Sequence, residues 1–221
     1  MTKRKSRRSF THFYALRIAC PSVLAQVRRV HELLISNEPA LESCLVAPTK
    51  LHVTMGLLAI DDAQVDEARA VAIEVAARAP ATIRADLPGL DAFGTNVLFA
   101  RVQDDKDDDP GPLARISADL ENALRDRGLC ESDEPPTSWK PHATICKLSK
   151  WRTSSKCRRR PKKIEPAHFE ALRTTPLGPV VFTELLLLEM AGASDGFYPV
   201  VAAIPLGPQA LDMASSTKTR K

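Results

Sequence analysis

The sequence is poor in the residues that build disulfide scaffolds, zinc sites and membrane spans. Its five cysteines are an odd number, scattered over 221 residues without a C-x-x-C pair, which favours reduced thiols over disulfides or a zinc site. The longest apolar stretch, residues 180–190, contains Thr183, Glu184 and Glu189 and is too short to cross a bilayer. The first eight residues lack the apolar segment of a signal peptide. We therefore expect a cytoplasmic or nuclear protein with no membrane segment.

Aromatic residues and metal-binding clusters are also scarce. Phe, Trp and Tyr make up only 5% of the chain, so most of them are needed for the core. Acidic residues concentrate in residues 104–109, but no histidine or cysteine lies beside them. The acidic run is followed by Pro110-Gly111-Pro112 and predicts an exposed linker. We predict neither a metal site nor a cofactor.

The charge of the chain is unevenly distributed. The net charge is +4, yet residues 3–8 carry five cations and residues 147–163 carry nine, and neither stretch contains an acid. Such a segment attracts a polyanion or serves as a localisation signal, and the sequence leaves both functions open. The apolar content of 44% and the length are typical of a chain that buries one substantial core.

One short pattern occurs twice in the chain. Residues 50–55 and residues 140–145 both read K-x-H-x-T followed by an apolar residue, 90 positions apart. In a strand, successive side chains alternate between faces, so the lysine, histidine and threonine of each copy would share a face. A lone strand histidine is more often structural, but a repeated polar set on an otherwise apolar strand needs partners or a wet cleft. The predicted catalytic residues are His52, Thr54, His142 and Thr144.

Two facing imidazoles can cleave a phosphodiester by acid–base chemistry without a metal. A neutral histidine takes a proton from the attacking hydroxyl, and a protonated histidine gives one to the departing oxygen. Two threonine hydroxyls can hold the non-bridging oxygens. The sequence does not distinguish acid from base, because the repeat is nearly symmetric. Lys50 and Lys140 are candidates for phosphate contacts, with simple solvation as the alternative. Phe13, Tyr198 and Phe93 are candidates for contacts with a nucleotide base, with core packing as the alternative.

The order of predicted elements repeats in the two halves. In the first half a strand begins near residue 10, a helix near 21, the motif strand near 50 and a second helix near 61. Two further strands begin near residues 82 and 97. In the second half a helix begins near residue 113, the motif strand near 140 and a short helix near 166. Two strands then begin near residues 180 and 197. This order predicts an α+β fold of two lobes, with two similar antiparallel sheets, outer helices and an approximate twofold axis. The histidines would meet in the groove between the lobes.

As an ordered set, the motifs resemble a known family. They are THFYALR (11–17), LHVT (51–54), DAFG (91–94), WKPHAT with CKLSK (139–150) and FYPV (197–200). The set resembles the two-histidine (2H) phosphoesterase superfamily, which includes the bacterial RNA 2′,5′-ligase-like proteins. Within that superfamily it is similar to the central domain of A-kinase anchoring protein gamma and its relatives in the activating signal cointegrator and leukocyte receptor cluster proteins. The resemblance covers residues 9–206, between a basic tail (1–8) and a flexible tail (207–221).

The resemblance implies a metal-independent phosphodiesterase that acts on 2′-linked RNA phosphates, either 2′,5′-oligoadenylate or 2′,3′-cyclic phosphate. It makes His52 and His142 the catalytic pair, and Thr54 and Thr144 the phosphate binders. The predicted substrate-binding residues are Lys50, Lys140, Phe13, Tyr198, Arg158, Arg159 and Arg160. We expect RNA, oligonucleotides or nucleotides as partners and a monomeric state. Two other functions stay open: a nucleotide- or RNA-binding module without turnover, and an interaction protein recruited through its basic segments.

Overall fold

The computed structural model describes residues 9–104, 110–129, 139–151, 161–192 and 196–216. The basic tail (1–8) and the predicted substrate-binding residues Arg158, Arg159 and Arg160 lie outside these ranges. The α-helices of the described residues are α1 (Pro21–Asn37), α2 (Val65–Arg78), α3 (Pro112–Asp126) and α4 (Ala210–Ser216). None of these helices is long and apolar enough to span a membrane.

The strands of the described residues form two antiparallel sheets. They are β1 (His12–Arg17), β2 (His52–Leu58), β3 (Ile83–Leu87), β4 (Leu90–Phe93), β5 (Val97–Arg101), β6 (Gln103–Asp104), β7 (His142–Lys147), β8 (Gly178–Phe182), β9 (Glu184–Glu189) and β10 (Val200–Pro205). The larger sheet has the order β10-β9-β1-β2-β7-β5-β4, and the smaller has the order β6-β3-β8. The predicted α+β class with two antiparallel sheets is confirmed.

The strands are not divided as two similar sheets, one for each half of the chain. Strands β2 and β7 pair at Val53 and Ala143, which joins four strands on one side to three on the other. The pairing gives partners to backbone groups that two separate sheets would leave exposed at their inner edges. An antiparallel pair is locally symmetric, so the approximate twofold axis passes between β2 and β7.

One predicted strand is two strands in the structure. Residues 180–190 were expected to be continuous, but β8 pairs with β3 in the smaller sheet, whereas β9 pairs with β1 and β10 in the larger one. The chain crosses between the sheets at Thr183, whose carbonyl accepts a hydrogen bond of 2.9 Å from the Leu206 amide. Only Thr183 and Glu184 separate the apolar residues of β8 from the leucines of β9, so the sequence does not show the crossing.

The core lies on the face of the larger sheet that carries the helices. Helix α1 buries Val23, Val27, Val30 and Leu34, the residues that the helical periodicity predicts for its inner face. On β1, Tyr14 is fully buried in the same core, and its hydroxyl donates a 2.6 Å hydrogen bond to the Ala68 carbonyl of α2. Phe13 and Ala15 point to the opposite face, where they form a second, smaller cluster with β9.

The described residues of the C-terminal tail, 207–216, contact the end of α2. Residues 210–216 form α4, and Ala210 is fully buried. The Gly207 amide donates a 2.8 Å hydrogen bond to the Ala76 carbonyl at the end of α2. This contact docks the last helix on the core, which the polar composition of the tail does not indicate.

Candidate active site

The centre of the site is the pairing of the two motif strands. Val53 of β2 lies opposite Ala143 of β7 in an antiparallel ladder, and both side chains are fully buried. Neighbours of a paired residue project to the other face of the sheet. The four residues that project together from that face, each of them half-buried, are His52, Thr54, His142 and Thr144. We call the face that carries them the groove face.

The antiparallel register arranges these four residues diagonally. Because β2 and β7 run in opposite directions, the residue before Val53 lies across from the residue after Ala143. His52 is therefore set across from Thr144. By the same register, Thr54 is set across from His142. Each histidine thus has a threonine hydroxyl of the other strand as its cross-strand neighbour.

Both imidazoles are held in the same orientation by their own motif. The Nδ1 atom of His52 lies 2.7 Å from the Lys50 carbonyl oxygen, and Nδ1 of His142 lies 2.8 Å from the Lys140 carbonyl oxygen. A carbonyl oxygen only accepts hydrogen bonds, so Nδ1 carries the proton in both rings. Nε2 is then the nitrogen that can exchange a proton with a bound molecule.

Each motif strand contains a β-bulge directly after its threonine. Met55 in β2 and Ile145 in β7 are the extra residues, because the register with the neighbouring strand shifts by one position there. The Met55 carbonyl accepts a 3.1 Å hydrogen bond from the buried Ser117 hydroxyl. The Ile145 carbonyl accepts a 2.8 Å hydrogen bond from the Val46 amide. Bulges increase the local twist and re-aim neighbouring side chains, and the motif itself carried no signal for them.

The segment before each motif contacts the strand of the other motif. Leu45, five residues ahead of the first motif lysine, forms a bridge with Cys146 of β7. Trp139, directly ahead of the second motif, donates its indole N–H to the Thr54 carbonyl of β2 at 3.2 Å. We call these two contacts the reciprocal clamp. They fix the position of one motif strand relative to the other.

Three aromatic rings surround His52. The ring centroid of His52 lies 5.2 Å from that of Phe13, 5.4 Å from that of Tyr198 and 6.4 Å from that of Phe197. Phe13 and Tyr198 are both predicted site residues, and the structure brings them to this histidine. Phe197 was not predicted, although it is adjacent to Tyr198 in the chain.

Two aromatic rings contact His142. Its centroid lies 4.9 Å from that of Phe93 and 5.3 Å from that of Phe99. The two phenylalanines stack on each other with centroids 4.2 Å apart. Phe93 keeps 40% of its surface exposed, so this side of the groove is more open than the ring-enclosed side at His52.

The different surroundings affect the protonation of His52. Burial between the rings lowers the pKa of His52, the hydrogen bond to the Lys50 carbonyl raises it, and the charge of His142 lowers it. Burial also raises the pKa of Tyr198, so its hydroxyl stays neutral and can donate a hydrogen bond.

Two cations lie on the His52 side of the groove. The Lys50 ammonium lies 5.7 Å from the centroid of the Tyr198 ring, which places this predicted residue beside the site. Arg17 pairs with His52 in the β1–β2 ladder, and its guanidinium lies 4.3 Å from the centroid of the Phe197 ring. Sequence reasoning missed Arg17. Lys140 is exposed, and its carbonyl rather than its ammonium contacts the histidine.

Within the described ranges, no group of three or more histidine, cysteine, aspartate or glutamate side chains is arranged to hold a metal ion. Of the described residues, Cys20, Cys44 and Cys146 are thiols outside any disulfide, and the last two are buried. The functional groups that line the groove are imidazoles, hydroxyls and cationic side chains.

Comparison with known proteins gives consistent matches. The model of a family described as the AKAP7 2′5′ RNA ligase-like domain matches residues 10–206. The fold is similar to that of TT0787 of Thermus thermophilus, with 19% identity and a TM-score of 0.61 over 89% of this chain and 97% of that one. It is also similar to E. coli LigT in complex with 3′-AMP, with 16% identity and a TM-score of 0.54 over 89% of this chain and 98% of that one. LigT in complex with ATP shows 13% identity and a TM-score of 0.55 over 90% of this chain and 98% of that one.

Proposed function

The chain belongs to the AKAP7 2′5′ RNA ligase-like domain family, within the 2H phosphoesterase superfamily, and from this premise we propose that it is a metal-independent phosphodiesterase specific for 2′-linked RNA phosphates. Its substrate is a 2′,5′-oligonucleotide, such as an oligoadenylate, or a 2′,3′-cyclic phosphate. The observation that carries the proposal is the β2–β7 pairing, which sets two imidazoles and two hydroxyls on one face. LigT forms complexes with 3′-AMP, ATP and NADP+, which supports a nucleotide as the ligand class of this chain.

The proposed reaction uses the 3′-hydroxyl that neighbours a 2′,5′ linkage. Nε2 of the neutral histidine takes the proton of this hydroxyl, and the 3′-oxygen forms a bond to phosphorus. The bond between phosphorus and the 5′-oxygen breaks, and Nε2 of the protonated histidine gives its proton to that oxygen. The products are a 2′,3′-cyclic phosphate and a free 5′-hydroxyl. The substrate itself supplies the proximity of nucleophile and phosphorus, so the protein supplies proton transfer and charge stabilisation.

Thr54 and Thr144 act as hydroxyl donors to the non-bridging oxygens in this proposal. Charge on those oxygens grows as the new bond forms, and donors that are already positioned stabilise it without reorganisation. The ladder sets each threonine across from the histidine of the other strand. A phosphate bound between the two strands would meet one imidazole and one hydroxyl from each side.

The different surroundings of the two histidines support an assignment of their roles. His52 lies among three rings, and burial lowers its pKa, so it is neutral at a pH where a free imidazole is partly protonated. His52 is therefore the base that takes the 3′-hydroxyl proton. His142 lies on the more open side, next to the exposed Phe93 ring, and is the acid that protonates the leaving 5′-oxygen.

The assignment predicts the acidic side of the pH profile. The value of kcat/KM should rise with pH as His52 loses its proton, and the midpoint should lie below about 6.5, the ordinary imidazole value. The sign follows from burial, which favours the neutral ring and lowers the pKa. Initial rates on a 2′,5′-linked dinucleotide, measured across the pH range in which the protein stays folded, would locate this midpoint. An acidic midpoint above that of free imidazole would assign the base to another group.

Turnover on defined oligonucleotides tests the proposed function directly. Incubated with a metal chelator, the protein should still cleave a 2′,5′-linked oligonucleotide, because the proposed proton transfers need only the two imidazoles. The proposed specificity for 2′-linked phosphates predicts that the 3′,5′-linked isomer stays intact. Chromatography of the products would show the cyclic phosphate and the 5′-hydroxyl fragment. Activity that disappears with chelator and returns with a divalent ion would refute the mechanism. Salt-sensitive binding without product would instead favour the nucleotide-binding module.

A further inference from the structure

Arg17 lies on the groove face directly beside His52. The two residues are paired across β1 and β2, and residues that lie opposite each other in an antiparallel pair share a face, with Cα atoms about 4.5–5.5 Å apart. Arg17 is exposed. A cation in this position reaches the same space as the imidazole.

The guanidinium of Arg17 is held by an aromatic ring. It lies 4.3 Å from the centroid of Phe197, and Phe197 in turn lies edge-on to His52. A cation–π contact uses the flat side of the guanidinium and leaves its N–H groups free to point sideways. These N–H groups form the fork that binds a phosphate with two hydrogen bonds.

The residue in the equivalent position of the other half is used differently. Arg101 pairs with His142 in the β5–β7 ladder, as Arg17 pairs with His52. Its guanidinium, however, donates hydrogen bonds to the Arg173 carbonyl at 2.7 Å and the Pro88 carbonyl at 3.4 Å. Arg101 therefore serves the fold, whereas its counterpart Arg17 faces the groove.

The charged groups on the two sides of the groove are paired differently. On the His142 side, Asp91 shares the groove face with Phe99 and forms an ion pair with Arg173 at 3.6 Å, so its charge is balanced. Among the described residues, no carboxylate forms an ion pair with Arg17. The charge of the Arg17 guanidinium is therefore available to an anion on the His52 side.

Lys50 adds to the positive potential near Arg17. Lys50 lies over the Tyr198 ring, which also contacts His52. The cations of the His52 side can attract more negative charge than one scissile phosphodiester carries.

The geometry points to a second phosphate site at Arg17, which binds the 5′-phosphate of the nucleotide whose 2′-oxygen carries the scissile phosphate. The identity of this phosphate rests on the proposed function. If His52 takes the proton of the 3′-hydroxyl, the sugar of that hydroxyl lies on the His52 side. Its own 5′-phosphate is then the second phosphate nearest to Arg17. The ligand class is a nucleoside 2′,5′-bisphosphate or a 5′-phosphorylated oligonucleotide.

Binding of product-like nucleotides tests this site without requiring turnover. Titration calorimetry at low salt would compare adenosine 2′-monophosphate with adenosine 2′,5′-bisphosphate on the full chain. The bisphosphate should bind more tightly, and Arg17→Ala should reduce this preference about tenfold, the usual effect of losing one charge-assisted contact. Arg17→Lys should restore part of the preference. Arg28→Ala, which removes the same charge from an exposed position on α1 behind the sheet, should retain the full preference.

The outcomes separate this site from the proposed function. A preference that Arg17→Ala leaves unchanged, equal weakening of both nucleotides, or binding of neither nucleotide would overturn the second phosphate site. Cleavage of a 2′,5′-linked oligonucleotide together with an unchanged preference would refute the site alone. An Arg17-dependent preference in a protein that cleaves nothing would retain the site and refute the phosphodiesterase.

Discussion

Replacing either His52 or His142 with alanine should reduce kcat on a 2′,5′-linked dinucleotide about 10³-fold, within the range of general acid–base catalysis. The double variant should be scarcely slower than either single variant, because the two imidazoles act in one proton-transfer sequence and loss of one removes the function of both. Single-turnover rates measured at saturating substrate would show both effects. The Nδ1 hydrogen bond of each ring leaves both Nε2 atoms available for this sequence.

Two controls make the histidine result specific. His168→Ala changes a histidine outside the groove, in a short helical turn next to the end of α1, and should retain turnover close to that of the unmodified protein. Both single variants should still bind adenosine 2′-monophosphate, since the threonines and cations remain. If one histidine variant keeps activity within a few-fold of the unmodified protein while the other loses it, the two-histidine mechanism is wrong.

Replacing Thr54 or Thr144 with valine should lower kcat about 10²-fold in each case, as expected when one donor to a developing oxyanion is removed. Valine has a similar shape and suits a strand, so the backbone of β2 and β7 should persist. KM should change much less than kcat if the hydroxyl acts chiefly as charge develops. Steady-state kinetics of both variants would measure this division.

A matched variant separates the loss of a hydroxyl from a general effect of the substitution. Thr183→Val makes the same change at an exposed position between β8 and β9, away from the paired motif strands, and should leave kcat unchanged. Unfolding curves should show all three variants folded at the assay temperature. Unaltered kcat in both groove variants would contradict the role of the threonines.

The sequence predicts local features of this protein well. The apolar spacing of α1 identifies its buried face. Near residue 61, where the second helix was expected to begin, a helical turn precedes α2, and the Gln64 side chain accepts a 3.2 Å hydrogen bond from the Asp61 amide. The alternation within each motif correctly predicts that histidine and threonine share a face. These features depend on residues a few positions apart, which is the range over which periodicity and capping act.

The features that the sequence did not reveal depend on distant residues. Alternation shows which face a side chain occupies but not which strand lies alongside, so neither the pairing of Val53 with Ala143 nor the position of Arg17 beside His52 could be read from it. The bulges at Met55 and Ile145 were missed for the same reason, since a bulge exists only relative to a partner strand.

Because of the reciprocal clamp, the geometry of the site depends on contacts between the two halves of the chain. Each motif strand receives a supporting contact from the opposite half, at Leu45 with Cys146 and at Trp139 with Thr54. A single half could obtain its contact only from a second molecule, as in an exchanged dimer. Within one chain the two halves are covalently linked, so their contacts form intramolecularly. Assembly of the site then does not depend on the protein concentration. The site therefore stays assembled at any dilution at which the chain itself remains folded.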